Sequence, residues 1–125
     1  MLIINSNDIE WGKMPGRDMK WLISKGKTPA KNATAAMISL APGQTSAPAH
    51  SHPFSEEVIY ILSGSGKAYI NGSIYDMTAG CVVIFPKGEP HMLRNSGNSP
   101  LEAVCFFAPA TELSDYVFHE DILFE

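Results

Sequence analysis

The sequence predicts an all-β domain. Short segments rich in β-branched and aromatic residues recur at close spacing, and nearly every gap between them holds Gly, Pro or an Asn-Gly pair. No long stretch carries a helical period. Strands at this spacing point to a sandwich or a barrel. At 125 residues the chain is expected to form one domain, 1–125, able to bury about two-thirds of its unfolded surface.

The expected strands are MKWLIS (19–24), TAAMISL (34–40), EVIYIL (57–62), GKAYIN (66–71), CVVIFP (81–86), HMLRN (91–95) and EAVCFFA (102–108). Pro42-Gly43 ends the second of these and opens the loop QTSAPA (44–49), read as a pocket rim. Asn71-Gly72, between GKAYIN and SIYDM, is a two-residue hairpin signal, because a type I′ turn needs positive φ at both central positions. Gly64, Gly66, Ala79-Gly80, Lys87-Gly88 and SGNSP (96–100) punctuate the rest. The tail TELSDYVFHEDILFE is expected to begin a short helix with Thr111 or Ser114 as N-cap.

Charge narrows the partners. The formal net charge is −4 and the pI about 5.5, so no basic field gathers a phosphate backbone and nucleic acid is not expected. No window approaches the ~20 apolar residues that span a bilayer, and the start MLIINSNDIEWGK lacks the layout of a secretion signal. The expectation is a cytoplasmic protein without a membrane partner. Cys81 and Cys105 lie in apolar β-like runs with no CxxC spacing, which reads as buried thiols. Trp11, Trp21, Met14 and Met37 read as core or subunit-contact residues.

Candidate chemistry concentrates in HSHPFSEE (50–57) and at His91. In an extended strand residues i and i+2 share a face, so His50 and His52 can present both imidazoles to one point. Two imidazoles and a carboxylate form a mixed N/O donor set suited to a divalent transition metal, and a third imidazole would complete four ligands. An HxH pair alone is equally consistent with two solvated histidines. If Glu57 points inward, Ile59 and Ile61 share its face and Glu56 does not. If His91 points inward, so do Leu93 and Asn95, while Met92 and Arg94 face away, Arg94 then being a surface or subunit-contact residue. A few polar ligands in an aliphatic wall is how small-molecule pockets are built.

These residues also carry a resemblance to the cupins. The first cupin motif is similar to GQTSAPAHSHPFSEEVIYILSG, from Gly43 to Gly64, and the second, GxxxxxPxGxxHxxxN, to GCVVIFPKGEPHMLRN, from Gly80 to Asn95. One departure is an extra residue between Gly43 and His50. The resemblance implies a double-stranded antiparallel β-helix, or jelly roll, with motif core 43–95. It further implies a metal held by His50, His52, Glu57 and His91, N-terminal strands (1–42) in a homodimer contact, and a C-terminal tail (110–125) of open role. PGRDMKWLIS (15–24) resembles the strand that small cupins use to dimerise.

One divalent metal per chain (Fe, Mn, Ni, Co or Zn) in such a cage has a net +1 first shell and, if six-coordinate, two open positions. That arrangement supports Lewis-acid chemistry or activation of bound water, and with iron O₂ chemistry. The expected function is a small metalloenzyme acting on a polar, oxygen-rich small molecule. A dioxygenase comes first, with an isomerase, epimerase or lyase next, and Glu57 leaving the metal to act as catalytic base. The alternative is a non-catalytic, metal-dependent binder of a sugar acid or other metabolite. Parity supplies no further His, Lys or carboxylate to the site, leaving Tyr69, Gln44 and Ser46 as nearby candidates. Asn95, Ile59, Ile61, Leu93 and Gln44 are the expected outer-shell or wall residues. His119 falls outside both motifs and reads as a surface histidine.

Overall fold

The computed structural model describes residues 2–124. The strands are β1 (Gly12–Met14), β2 (Arg17–Ile23), β3 (Thr34–Leu40), β4 (Ala49–Ser51), β5 (Glu56–Ser63), β6 (Ser65–Ile70), β7 (Ser73–Thr78), β8 (Val82–Phe85), β9 (His91–Asn95), β10 (Leu101–Ala108) and β11 (Val117–His119). They form two antiparallel sheets, one in the order β1-β2-β3-β10-β5-β8, the other β11-β4-β9-β6-β7. From β3 to β11 consecutive strands alternate between the sheets except at the β6–β7 hairpin, which brings distant segments together.

Alternation of burial shows which face each strand gives to the core. In β5, Glu57, Ile59 and Ile61 are buried while Glu56, Tyr60 and Leu62 are exposed. In β8, Val83 and Phe85 turn inward and Val82 and Ile84 outward. The inward residues join Met19, Ile38, Leu40, Leu93, Leu101 and Phe107 in one apolar cluster. Burying a side chain of this size stabilises by roughly 1.5–3 kcal/mol.

Turn chemistry fixes the register. Asn71 and Gly72 both adopt positive φ, 44° and 92°, and Ile70 pairs with Ser73 across the hairpin, as the Asn-Gly signal requires. Gly64 has φ 86°, and a Cβ there would stand 2.6 Å from the Pro100 carbonyl oxygen. Only glycine permits that turn and that approach.

The chain departs from the sequence expectation in its short elements. β1, β4 and β11 were not expected, and each is three residues long. In place of the expected helix the tail has a 3₁₀ turn, Leu113–Asp115, with Glu112 at its N-cap. Thr111 does not cap it; its N–H donates instead to Thr34 Oγ1 at 3.2 Å, and Ser114 lies inside the turn. Beyond the turn the chain pairs with β4 and then covers the outer face of the five-stranded sheet. Phe124 and Ile122 pack there against Met92, Ala49 and Tyr69.

Candidate metal centre

The two halves of the site come from the two sheets. β4 and β9 pair at a single register point, His50 opposite His91, so their side chains start as cross-strand neighbours. Just past β4, the His52 carbonyl accepts the N–H of Gly88 at 3.0 Å and of Ser55 at 3.4 Å. The Ser55 hydroxyl donates to the Pro109 carbonyl at 2.6 Å. This turn carries the chain across to β5, where Glu57 lies opposite both Phe85 and Phe107.

His50, His52, Glu57 and His91 are all buried, and one ligand-type atom from each lies within 4.8 Å of the others. Glu57 Oε1 is 3.0 Å from His52 Nε2 and 3.2 Å from His91 Nε2. Aromatic rings hold the imidazoles. Phe85 stacks on His91 at 3.9 Å between centroids. Tyr116 stacks on His50 at 5.1 Å and meets His52 edge-on at 4.4 Å.

The hydrogen bonding inside this cluster is incomplete. His91 Nδ1 donates to the Glu89 carbonyl at 3.1 Å, which fixes the tautomer and turns the lone pair of Nε2 inward. That lone pair then faces a carboxylate oxygen, two acceptors side by side with no hydrogen between them. Of the four buried side-chain polar atoms lacking a hydrogen-bond partner among the described residues, three belong here: His50 Nδ1, His52 Nδ1 and His91 Nε2. Buried polar atoms are rarely left unpaired, and a cation among these donors removes the conflict. The residues therefore fit a bound metal ion.

Electrostatics prepares the donors. Burial holds His50 well below the ordinary imidazole value and lowers His91 too, favouring the neutral ligating form. Burial alone would raise the Glu57 carboxyl, but the hydrogen bond from His52, followed by the contact with His91, holds it well below the usual carboxylate range. Burial pushes the Cys105 thiol and the Tyr116 phenol well up, with Glu57 adding in the same direction for both.

A cavity of about 20 Å³ adjoins His50, Glu57 and His91, and Ile59 and Leu93 form part of its wall. Ile61 is buried in the core without lining it. Asn95 is buried, but its amide donates to the carbonyls of Leu40 (2.9 Å) and Ser99 (2.8 Å) and accepts the Gly97 N–H (2.9 Å). It ties strand ends together. Gln44 is exposed and accepts the Ala41 N–H at 2.7 Å, and Tyr69 packs on the opposite face of the sheet. Ser46 does line the cavity, with its hydroxyl accepting the Leu93 N–H at 2.9 Å.

Seven cavity residues were not foreseen as site residues: the polar or titratable Arg17, Cys105 and Tyr116, and the apolar Met19, Ile38, Phe85 and Phe107. Arg17 is 6% exposed and alternates in β2 with buried Met19, so parity could have shown it. Cys105 alternates in the same way with Ala103 and Phe107. Nothing in the pattern of the tail marks Tyr116. Arg94 faces away from the site, donating to Thr45 Oγ1 at 2.9 Å with its guanidinium over the Phe124 ring. His119 is not a free surface group, since its Nε2 lies 2.9 Å from the Ser51 hydroxyl.

The family model of the cupin domain matches residues 36–107. The chain belongs to the cupin family. An oxalate-binding protein of Thermotoga maritima is 36% identical over 85 residues, covering 68% of this chain and 69% of that protein. Tetracenomycin polyketide synthase protein TcmJ of Streptomyces glaucescens is 29% identical over 94 residues, 75% of this chain, and the match spans 62% of TcmJ. Among solved structures, one described as a predicted oxalate decarboxylase of Thermotoga maritima superposes with a TM-score of 0.77 at 28% identity, covering 86% of this chain and 99% of that one. The double-stranded antiparallel β-helix expected from the motifs is thus the fold of this cupin. Among the described residues no helix is long and apolar enough to cross a membrane.

Proposed function

We propose that this cupin binds one divalent transition metal through His50, His52, Glu57 and His91 and uses it on a polar, oxygen-rich small molecule. The observation that carries the reading is the lone pair of buried His91 Nε2 set 3.2 Å from Glu57 Oε1, an arrangement a cation relieves. The metal, when bound, supplies Lewis acidity or an activated water and, for iron, a site for O₂. Around it, Phe85 and Tyr116 hold the imidazoles by stacking, and the apolar wall keeps bulk water away. Oxidation of the dioxygenase type is the first reaction class, isomerisation, epimerisation or elimination the second. Glu57 acts as base in either class only after its contacts to His52 and His91 are released. The exposed apolar outer face of the six-stranded sheet, with Tyr60, Val82, Ile84 and Phe106, supports a homodimer.

One observation favours a binder without turnover. The Ser46 hydroxyl is engaged with Leu93, and burial holds Tyr116 and Cys105 in their protonated forms. Among the described residues lining the cavity, no side chain outside the four ligands is thus poised to exchange protons near neutral pH. The deciding experiment loads the protein in turn with Fe(II), Mn(II), Ni(II), Co(II) and Zn(II). Each form is incubated with diols, catechols and sugar acids, with and without O₂, and the recovered molecules are analysed. A new product that depends on the metal supports the enzyme. A ligand that is bound and returned unchanged in every metal form selects the binder.

A further inference from the structure

Among the described residues the four donors are shut away from solvent. His50, His52, Glu57 and His91 are all buried, and the cavity beside them, about 20 Å³, takes about one water molecule. A hydrated metal ion or a small molecule therefore reaches the donors only when part of the wall moves.

Most of that wall is held from both sides. Met19, Ile38, Ile59, Leu93 and Phe107 stand on β2, β3, β5, β9 and β10, each with a paired strand on either flank. Phe85 lies on an edge strand, but all four residues of β8 pair with β5. Ser46 lies in a loop, yet its N–H donates to the Leu93 carbonyl at 2.8 Å and its hydroxyl accepts the Leu93 N–H at 2.9 Å.

Tyr116 is the exception. It lines the cavity from a segment that runs from one sheet to the other. Thr111 ties the start of this segment to Thr34 on β3, and β11 at its far end is three residues long and pairs only with β4. Between these points Leu113, Val117 and Phe118 are 44–46% exposed, whereas Tyr116 is 8% exposed. Its ring fills the barrel end, stacked on His50 and edge-on to His52. The other ties are the Ser51–His119 contact and ion pairs from half-exposed Lys25 to Glu112 at 3.8 Å and Asp115 at 4.0 Å, and ion pairs in contact with water hold little. Segments with so few buried apolar contacts open locally while the rest of a fold stays closed.

Resting on the metal reading above, we infer that residues 112–119 form a lid over the metal centre, with Tyr116 as its plug. The lid swings off β4 to admit a metal ion or a ligand larger than water. Closing returns the phenol ring to His50 and shuts bulk water out.

The test locks the lid. Val117 lies opposite Ser51 in the β4–β11 register, so the double variant Ser51→Cys/Val117→Cys sets a disulfide across the moving contact. Full-length protein loaded with Co(II), its metal content measured first, is stripped with excess EDTA and then reloaded, both steps followed by the cobalt absorption. The disulfide form is expected to release and take up cobalt roughly tenfold or more slowly than the same protein after reduction with a phosphine. Tyr116→Ala is expected to speed uptake roughly tenfold, whereas a ring that only steadied the histidines would leave uptake unchanged or slow it on removal. This second comparison decides the matter if the disulfide does not form. Equal rates for the disulfide and reduced forms, or uptake by Tyr116→Ala no faster than by wild type, overturns the inference alone. Failure of the wild type to retain cobalt overturns the metal reading and the inference with it.

Discussion

The two faces of the five-stranded sheet are built from alternating residues of the same strands, yet they solve opposite problems. On the outer face, Met92 and Ala49 pack under Phe124, Arg94 lies over the Phe124 ring, and the Ser51 hydroxyl meets His119. Polar and apolar groups there find partners inside the chain. On the inner face, one residue along, His50, His52 and His91 are equally buried but keep ring nitrogens without partners. Burial alone therefore does not mark a functional residue. What separates the faces is whether the chain satisfies its own polar groups, and the inner face leaves that to something it binds.

The largest expected effect breaks the inner face. His50→Ala, His52→Ala, Glu57→Ala and His91→Ala each remove one of four cooperating donors, so metal content per chain should collapse in elemental analysis. Glu56→Ala, at the exposed neighbour, should leave it unchanged. Equal losses for Glu56→Ala and Glu57→Ala would erase the distinction between the two.

Breaking the outer face should cost stability instead. Met92 is 1% exposed, and Met92→Ala should destabilise by about 2–5 kcal/mol, read from the midpoint of chemical unfolding. Once folded, the variant should hold as much metal as the wild type. A selective loss of metal would mean the two faces are coupled.

Acid should act through the inner face. His50 and His91 sit below the ordinary value of 6.5, and Glu57 below 4.5, so each binds fewer protons folded than unfolded. Stability then rises with pH. The metal-free protein should be at full strength above about pH 6.5 and weaken as pH falls below it. The slope should approach ~1.4 kcal/mol per unit for each histidine protonated only on unfolding. A further loss should follow below about pH 4.5 as Glu57 gives up its contribution. A melting temperature that is flat from pH 7 to 5 would contradict the burial of neutral histidines.

The smallest effect lies at the edge of the outer face. His119→Gln exchanges the partner of Ser51 and should cost about 1 kcal/mol in the same unfolding measurement, with metal content unchanged.

The sequence revealed most where a strand has one wet and one dry face. TAAMISL and HMLRN coincide with β3 and β9, and the alternation in β5 separates Glu57 from Glu56. β4 escaped notice because its three residues follow a Pro-containing loop and are buried on both faces, leaving no alternation to read. Tyr116 and β11 escaped because the tail is held by pairing with β4 and by ring contacts to the histidines, which are long-range contacts without a local period. Arg17 was hidden differently. Its strand was read as a dimer contact, and a charge in the first position of a strand looks like a solvated end until its cavity neighbours are known.

The central claim is that these four side chains hold one metal ion, and anomalous diffraction at the absorption edge of the loaded metal addresses it most directly. Crystals of the loaded protein should show one anomalous peak per chain, among His50, His52, Glu57 and His91. Its occupancy should vanish in crystals of His91→Ala. An empty cluster in crystals grown with the metal, or a peak that survives that substitution, would contradict the account.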